Sequence, residues 1–506
     1  MASRGAGTSG GKLGRHGPSP GGQESGAIER IEHWVVVMLE NRSFDNLLGN
    51  LPHIAAADGV RGRTTELPYP GGSVRLHPAT RFWDPDPDPG EAWTNVNVQL
   101  WNQYLPGSNA GKAAYAAYAP FMEPPFNVPP YPGVPTMDGF ALDYYWNFVW
   151  WAGRKPSPEE MQAIGSMYTP ATAPVMNTLA EEYAVFTHWH CDVPTCTSPN
   201  RLFFFAGASG GRLDNELVYN LAWTVEARNL FDLLEAKGVP WGVYYDRRTQ
   251  IVPECFINLG GLRRIESFAS HTHTWEEFLQ HAAAGALPAF SWVEPNLLFD
   301  PLTDYHPPTD IRAGEAFLAA VYDAVRSSPA WEKTALVILF DEHGGCYDHV
   351  PPPSAPIPDD SKGDLGFAFD RLGLRVPAIV VSPFTERQTV VADPFRTTSV
   401  LRTLRDRYDL GPPLTRRDAS APSLEVAFNR RSPRTDRPTI VRQDYRPAEG
   451  RPLHLSEIGE YTLRNAARIV GHDPGAVPKD PAGSMTFLRK MFTGPDGSLR
   501  VPTRWR

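Results

Sequence analysis

The 506-residue chain has few cysteines, little net charge and no long apolar run. Four cysteines are too few to cross-link a secreted scaffold of this size, which excludes the disulfide-rich class of protein. The formal net charge of −9 disfavours nucleic acid as a partner, because an acidic surface repels a phosphate backbone. Apolar runs such as Trp34–Leu39 are far shorter than the roughly 18 residues of a membrane-spanning helix, so we predict no transmembrane segment. Residues 1–27 contain no apolar signal-peptide core, and we expect a disordered N-terminal arm and a cytoplasmic protein.

Proline, by contrast, is abundant, with 51 residues in the chain, where ordinary proteins carry roughly 5%. Hydrophobic residues make up 42% of the sequence, and 14 residues are tryptophan. A chain this apolar can offset the entropy lost on ordering, which excludes global disorder. The composition therefore predicts a large globular protein with long loops stiffened by proline.

Short continuous apolar runs alternate with helical patterns along the chain. Continuous β-rich runs are typical of strands buried on both faces. They are Trp34–Leu39, Ala184–Phe186, Val239–Tyr245, Ala289–Val293, Ala335–Phe340 and Val376–Val381. Helical spacing of apolar residues predicts helices over Thr224–Lys237 and Asp310–Ser327. This alternation predicts an α/β fold with a mainly parallel sheet and functional groups at the carboxyl ends of its strands.

One region departs from the alternation. Residues 77–154 are rich in proline, tryptophan and tyrosine, which predicts an ordered insertion. It is either a wall or lid over the site or a satellite core on the sheet edge. Around it we predict a catalytic domain over residues 28–434. A C-terminal extension over residues 435–506 follows, with one helix at Ser456–Val470.

Two acidic motifs each follow a predicted buried strand. Glu40 and Asn41 come after the first apolar run, and Asp341 and Glu342 come after a later one. Carboxylate and amide oxygens suit a hard divalent cation, although a turn with an ion pair is the structural alternative for the first motif. Adjacent carboxylates repel each other, and a cation or a shared proton relieves that repulsion.

Three further residues complete the candidate chemistry. Thr197 precedes a phenylalanine-rich helix, where free N–H groups favour an anionic group such as phosphate, and simple helix capping is the alternative. His349 titrates near neutrality and suits an acid, a ligand or an oxyanion partner. His306 lies in a proline-flanked loop, where a purely structural role is the alternative.

Together these segments resemble the phosphoesterase family of phospholipases C. That family includes bacterial phosphatidylcholine-type enzymes, plant non-specific phospholipases C and related acid phosphatases, within the alkaline-phosphatase-like superfamily. The matching motifs are Glu40-Asn41-Arg42-Ser43-Phe44-Asp45, Thr197-Ser198-Pro199-Asn200-Arg201 and Asp341-Glu342-His343-Gly344-Gly345 with Asp348-His349-Val350. The resemblance covers about Glu29 to Arg434. It implies a three-layer α/β/α sandwich with a mainly parallel central sheet and a Pro/Trp-rich insertion.

The resemblance also implies roles for individual residues. One divalent ion, Mg²⁺, Ca²⁺, Mn²⁺ or Zn²⁺, would be held by Glu40, Asn41, Thr197, Asp341 and Glu342. Thr197 would be the nucleophile that becomes phosphorylated, because a cation lowers the pKa of its hydroxyl. His306 and His349 would hydrogen-bond the phosphoryl group or protonate the leaving alcohol.

Three positions depart from the family pattern. Glu91 stands where relatives usually have histidine, Thr187 stands in the region where they have aspartate, and Thr397 stands where many have histidine. The loss of a histidine removes a donor, and Glu91 adds negative charge beside the phosphoryl pocket. This combination disfavours a dianionic phosphomonoester and fits a cationic or polyhydroxylated substrate group.

Three hypotheses of function follow. The first is a metal-dependent phosphodiesterase of phospholipase C type that acts on a phospholipid or a related phosphate ester. The second is a transferase in which an acceptor alcohol replaces water, and the third is a protein that binds phosphate esters without turnover.

A set of aromatic side chains could cage a quaternary ammonium group or could belong to the hydrophobic core. Its members are Trp83, Trp93, Trp101, Tyr144, Tyr145, Trp146, Trp150 and Trp151. We interpret Cys191, Cys196 and Cys346 as packed residues. The sequence carries no indication of the oligomeric state.

Overall fold

The structure is a computed structural model that describes residues 26–114, 122–126, 134–215, 227–248, 268–297 and 301–442, with isolated positions between and beyond them. The predicted N-terminal arm and the helix at Ser456–Val470 lie almost wholly outside the described residues. The domain boundaries therefore stay predictions. Among the described residues, no helix combines the length and the apolar character that crossing a membrane requires.

An eight-stranded sheet forms the centre of the molecule. In chain order its strands are β1 (His33–Leu39), β2 (Ala184–Phe186), β3 (Trp241–Tyr245), β4 (Thr272–Thr274), β5 (Phe290–Val293), β6 (Thr334–Phe340), β7 (Ala378–Val381) and β8 (Thr389–Val391). Across the sheet the order is β8-β2-β7-β6-β1-β5-β3-β4. Neighbouring strands run parallel except for the two pairs that β7 forms. The predicted α/β fold with a mainly parallel sheet is confirmed.

Short strands pair outside this sheet. Glu66–Tyr69 pairs antiparallel with Gly72–Arg75. Two parallel pairs join His77–Pro78 to Ser166–Met167 and Trp189–His190 to Phe395–Arg396.

The described residues form the following helices: α1 (Phe44–Leu48), α2 (Trp93–Trp101), α3 (Phe140–Ala152), α4 (Pro158–Met161), α5 (Pro174–Glu182), α6 (Thr197–Ala206), α7 (Leu230–Lys237), α8 (Trp275–Ala284), α9 (Ile311–Ser327), α10 (Thr398–Arg407) and α11 (Arg416–Ala419). Helices α1, α5, α8 and α9 pack together as one group, and α6, α7, α10 and α11 pack as another. The central strands, buried along nearly all their length, lie between these two groups and form the middle of three layers.

The strand predictions hold at most positions. Helix α7 begins at Leu230, because the Asn229 side chain accepts hydrogen bonds from the N–H groups of Phe231 and Asp232 and caps the helix there. The predicted start at Thr224 lies outside the described residues. Helix α9 begins one residue after Asp310, whose carboxylate caps it in the same way.

The aromatic insertion forms a satellite core. Helices α2 and α3 pack against each other, and their apolar side chains bury a cluster separate from the main core. Tyr144 and Tyr145 lie inside that cluster, and Trp93 packs against Phe367 in another. For these three aromatic residues the core alternative therefore applies rather than the ammonium cage.

Candidate active site

The register of β1 and β6 brings the two acidic motifs together. Leu39 pairs with Phe340 at the carboxyl ends of these parallel strands, and the Asp341 N–H donates to the Leu39 carbonyl over 3.0 Å. Glu40 and Asp341 therefore leave the sheet side by side. Both side chains are fully buried.

The proposed nucleophile lies at the amino end of α6, opposite these carboxylates. The Thr197 hydroxyl donates to Glu40 Oε2 over 3.4 Å. One turn later the Asn200 amide fixes the loop that precedes the helix. It accepts from the Val193 N–H over 3.0 Å and donates to the Thr195 carbonyl over 2.8 Å. The hydroxyl thus has a defined position at the free N–H end of a helix.

Arg201 is a site residue to which the sequence analysis assigned no role. Its guanidinium forms an ion pair with Glu40, and its Nε lies 3.3 Å from Asp341 Oδ2. A residue four positions after Thr197 lies on the same helix face. The four-residue spacing from Thr197 is the sequence signal that could have identified Arg201.

Asn41, in the first acidic motif, uses the nitrogen of its side-chain amide for hydrogen bonds but not the oxygen. Its Nδ2 donates to the Glu91 carboxylate and to His306 Nε2, the latter over 2.8 Å. Its Oδ1 is buried and accepts no hydrogen bond from any group in the described part of the chain. The backbone of Asn41 is left-handed, with φ 56°. A Cβ on Gly344 would lie 2.2 Å from the Asn41 carbonyl, so this approach requires glycine.

Glu342 also keeps one carboxylate oxygen open. Its Oε2 accepts from the Gly344 N–H over 2.7 Å. Its Oε1 is buried and has no donor among the described residues. Burial, together with the nearby carboxylates of Glu91 and Asp341, raises the pKa of Glu342 well above its ordinary value. A neighbouring positive charge would reverse that effect.

These residues supply oxygen donors of the kind that a divalent cation takes. Asn41 and Glu342 each present an open, buried oxygen. Glu40 adds a carboxylate beside the Thr197 hydroxyl, and Asp341 adds one that accepts from the Asn41 N–H. Oxygen donors of this kind suit hard cations. Arg201 supplies one positive charge against the several carboxylates that converge here, so a cation would compensate the remainder.

His306 adjoins the same group. Its Nδ1–H donates to the Pro307 carbonyl over 2.5 Å, which leaves the Nε2 lone pair facing Asn41. Burial lowers the pKa of His306 to about 4, so the imidazole is neutral. Asp88, Glu91 and His306 bring ligand atoms within 4.8 Å of one another, and this carboxylate–histidine group could also hold a cation.

His349 lies in a different set of contacts. Its Nδ1 faces Asp45 Oδ2 at 2.6 Å, and its Nε2 faces the Ala57 carbonyl at 2.7 Å. Asp45 and Asp348 are each 2.8 Å from a guanidinium nitrogen of Arg375, which already compensates their charge. Because both His349 nitrogens are engaged, its part in catalysis stays a prediction.

Two of the departures from the family pattern have clear surroundings. The Thr187 hydroxyl donates to Asp58 Oδ2 over 3.3 Å, so a carboxylate from another loop lies beside this position. Thr397 is fully buried immediately before α10.

The sulfur atoms of Cys346, Cys191 and Cys196 are also buried, and burial raises the pKa of each thiol. They fit the interpretation as packed residues.

The fold and the site define a class: α/β enzymes whose acidic pocket lies at the carboxyl ends of a parallel sheet, opposite a helix that carries a hydroxyl. Comparison with known proteins narrows this class. A model of the phosphoesterase family matches residues 31–411. The chain belongs to the phosphoesterase family, and it is a hydrolase of phosphoric esters.

Curated relatives cover most of the chain. The chain is 32% identical to non-specific phospholipase C3 of Arabidopsis thaliana over 445 residues, which are 84% of this chain and 77% of that protein. It is 27% identical to phospholipase C A of Mycobacterium tuberculosis, over 82% of this chain and 80% of that protein. A solved structure of an alkaline phosphatase superfamily protein from Vibrio parahaemolyticus aligns with a TM-score of 0.31 at 14% identity, over 49% of this chain and 64% of that one.

Proposed function

We propose that the protein is a metal-dependent phosphodiesterase of phospholipase C type that acts through a phosphothreonine intermediate. The observation that carries the proposal is the Thr197 hydroxyl at the start of α6, 3.4 Å from Glu40, in a chain of the phosphoesterase family. The phospholipases C among its relatives support a phospholipid or a related phosphodiester as the substrate.

The reaction divides into two displacements at phosphorus. Thr197 Oγ1 attacks phosphorus, and the bond from phosphorus to the glycerol oxygen breaks. The hydroxyl proton is transferred to the leaving alcohol. Water then attacks the phosphothreonine, the bond between Thr197 Oγ1 and phosphorus breaks, and a proton from the water returns to Thr197 Oγ1. The first displacement releases the glycerol side, and the second releases the phosphorylated head group.

Glu40, Asn41, Asp341 and Glu342 would hold the cation, with Thr197 as the fifth ligand. The cation would supply positive charge that lowers the pKa of the Thr197 hydroxyl and neutralises the phosphoryl oxygens. The donor set is hard, which favours Mg²⁺, Ca²⁺ or Mn²⁺, and zinc remains in the set of ions to test. Arg201 keeps Glu40 and Asp341 at a fixed distance from the nucleophile helix.

Glu91 supports a diester over a monoester. Its carboxylate contacts Asn41 and lies 3.9 Å from His306, inside the proposed phosphoryl pocket. A monoester carries a second negative charge near neutral pH and would be repelled more strongly than a diester.

The test compares two esters and two variants. The wild-type protein should release p-nitrophenol from p-nitrophenyl phosphorylcholine faster than from p-nitrophenyl phosphate. Thr197→Ala should lower kcat at least about 1,000-fold, because the covalent route is lost, with little change in melting temperature. Ser198→Ala removes the adjacent hydroxyl and should keep activity. Full activity of Thr197→Ala would contradict the mechanism, and a phosphate adduct on Thr197 in acid-quenched samples would support it.

A further inference from the structure

Two hydrogen-bond acceptors fix the orientation of the Asn41 side-chain amide. Its Nδ2 faces the Glu91 carboxylate and His306 Nε2. A carboxylate accepts hydrogen bonds only, and the His306 Nδ1–H is committed to the Pro307 carbonyl, so Nε2 is also an acceptor. If the amide turned over, its oxygen would face two acceptors. Only the observed orientation is therefore stable.

This orientation determines what Asn41 Oδ1 can do. The oxygen is buried without a hydrogen-bond donor within the ranges the structure describes, while Nδ2 has two partners. A buried amide oxygen in this state is costly unless a cation or donor meets it. The Asn41 N–H also donates to Asp341 Oδ1 over 3.2 Å, which ties the residue to the second acidic motif.

Glu91 itself is held by the aromatic insertion. Gln99 on α2 donates to the Gly90 carbonyl over 2.6 Å, and its Oε1 lies 2.8 Å from His343 Nε2. The second Glu91 oxygen accepts from Asn215 Nδ2 over 3.4 Å. The insertion therefore fixes Glu91 relative to the Asp341–Gly345 loop.

We propose that Glu91 is a positioning residue that, with His306, holds the Asn41 amide so that Oδ1 faces the cation. The inference rests on the cation site of the proposed function. Glu91 acts through Asn41 by a hydrogen bond. Glu91 stands where relatives of the family usually have histidine. Its carboxylate can only accept hydrogen bonds, so the Asn41 amide has a single stable orientation beside it.

The test separates the hydrogen bond from the charge. Mn²⁺ binding is measured by isothermal titration calorimetry at pH 7 on chelator-treated full-length protein. Glu91→Ala removes the acceptor and should weaken Mn²⁺ binding about 10- to 100-fold, as loss of a group that orients a metal ligand does. Glu91→Gln keeps an acceptor oxygen without the charge and should stay within about threefold of wild type.

Two controls keep the result decisive. Asp88→Asn removes a neighbouring negative charge, 3.9 Å from His306 Nδ1, without removing the bond to Asn41, and should lose less Mn²⁺ affinity than Glu91→Ala does. Asn41→Ala and Asn41→Ala/Glu91→Ala should bind Mn²⁺ with similar affinity, because the positioning effect of Glu91 requires the Asn41 amide. Glu91→Met replaces Glu91→Ala if the latter does not fold.

Each outcome has one meaning. Unchanged Mn²⁺ affinity in Glu91→Ala would overturn the positioning role while leaving the proposed cation site intact. Equal losses in Glu91→Gln and Glu91→Ala would show that charge, not orientation, is what Glu91 supplies. Wild-type protein that binds no Mn²⁺, Mg²⁺, Ca²⁺ or Zn²⁺ would overturn the cation site and this inference with it. A changed Mn²⁺ electron paramagnetic resonance spectrum in Glu91→Ala, restored in Glu91→Gln, would be the direct signature of a moved ligand.

Discussion

Arg201 shows how one side chain joins the helix of the proposed nucleophile to both acidic motifs. It leaves the same helix face as Thr197 and reaches Glu40 and Asp341, which lie at the ends of adjacent strands. All three charged groups are fully buried. Removing one partner of such a group leaves an uncompensated buried charge, at a cost of about 3–5 kcal/mol. The position of the proposed nucleophile and the stability of the fold therefore depend on the same contacts.

The charge on His349 should make its contribution to stability depend on pH. Burial acts to lower the pKa of His349, but the hydrogen bond with Asp45 and the negative charges of Asp45 and Asp348 together outweigh it, so the pKa is raised above its ordinary value. The stabilisation is present below the unfolded value and is lost as pH rises through the raised pKa. His349→Gln should cost about 1–2 kcal/mol at pH 6 and less at pH 9, as measured by thermal unfolding at both pH values.

His188 provides the opposite case on a neighbouring loop. Burial lowers the pKa of His188, although Asp58 lies 3.3 Å from its Nε2. The wild-type protein should therefore lose stability relative to His188→Gln as pH falls through the unfolded pKa. The two variants should show pH trends of opposite sign, and parallel trends would contradict the assignment of charge on His349.

At the scale of elements, Glu315 joins three parts of the fold. It lies on α9, and its carboxylate accepts from the N–H groups of Val175 and Met176 at the start of α5, over 2.6 and 3.1 Å. The Tyr305 hydroxyl donates to it over 2.7 Å, from the loop that carries His306. The carboxylate therefore satisfies free N–H groups of one helix and anchors a site loop.

Replacement of this carboxylate should destabilise the fold. Glu315→Ala leaves buried donors without an acceptor and should lower the free energy of unfolding by about 2–4 kcal/mol. Glu276→Ala, on the exposed side of α8, is the matched control and should change it by less than about 0.5 kcal/mol. Urea unfolding of both variants measures the difference. Equal effects would show that Glu315 has no special part in joining the helices.

The elements were the part of the fold that the sequence best predicted. Continuous apolar runs located β1 and β6, because strands buried on both faces need no polar alternation. The direction of β7 was beyond prediction, since an apolar run reads the same in either orientation. The family resemblance implied that Glu40 and Asp341 share one site, and each was recognised as following a buried strand. The contact of Glu91 with Asn41 was not, because two loops 50 residues apart share no periodic signal.

At the scale of the whole molecule, the proposed cation site joins regions that are far apart in the chain. Strands β1 and β6, helix α6 and the loop that carries His306 all meet there, and Glu91 adds the aromatic insertion. A ligand that binds only the folded state stabilises all of these parts together. Cation binding and global stability should therefore be linked.

Chelation and restoration of the cation test this link. At a free cation concentration 100 times its Kd, the protein should gain about 2.7 kcal/mol over the chelated form, seen as a higher melting temperature. Glu342→Gln should lose most of this gain, because an open carboxylate oxygen is replaced. Glu332→Gln, at an exposed position before β6, should keep it. A melting temperature indifferent to chelation in the wild-type protein would contradict the site.

The register of β1 with β6 has a consequence for synthesis of the protein. Asn41 and Asp341 are 300 positions apart, yet they are joined by a hydrogen bond just beyond the carboxyl ends of β1 and β6. A growing chain carries the proposed nucleophile long before the second acidic motif leaves the ribosome. Until residue 342 has emerged and β6 has paired with β1, the carboxylates of that motif are missing from the pocket. On the proposed mechanism, a chain that ends before residue 341 should not hydrolyse phosphate esters, even though it contains Thr197.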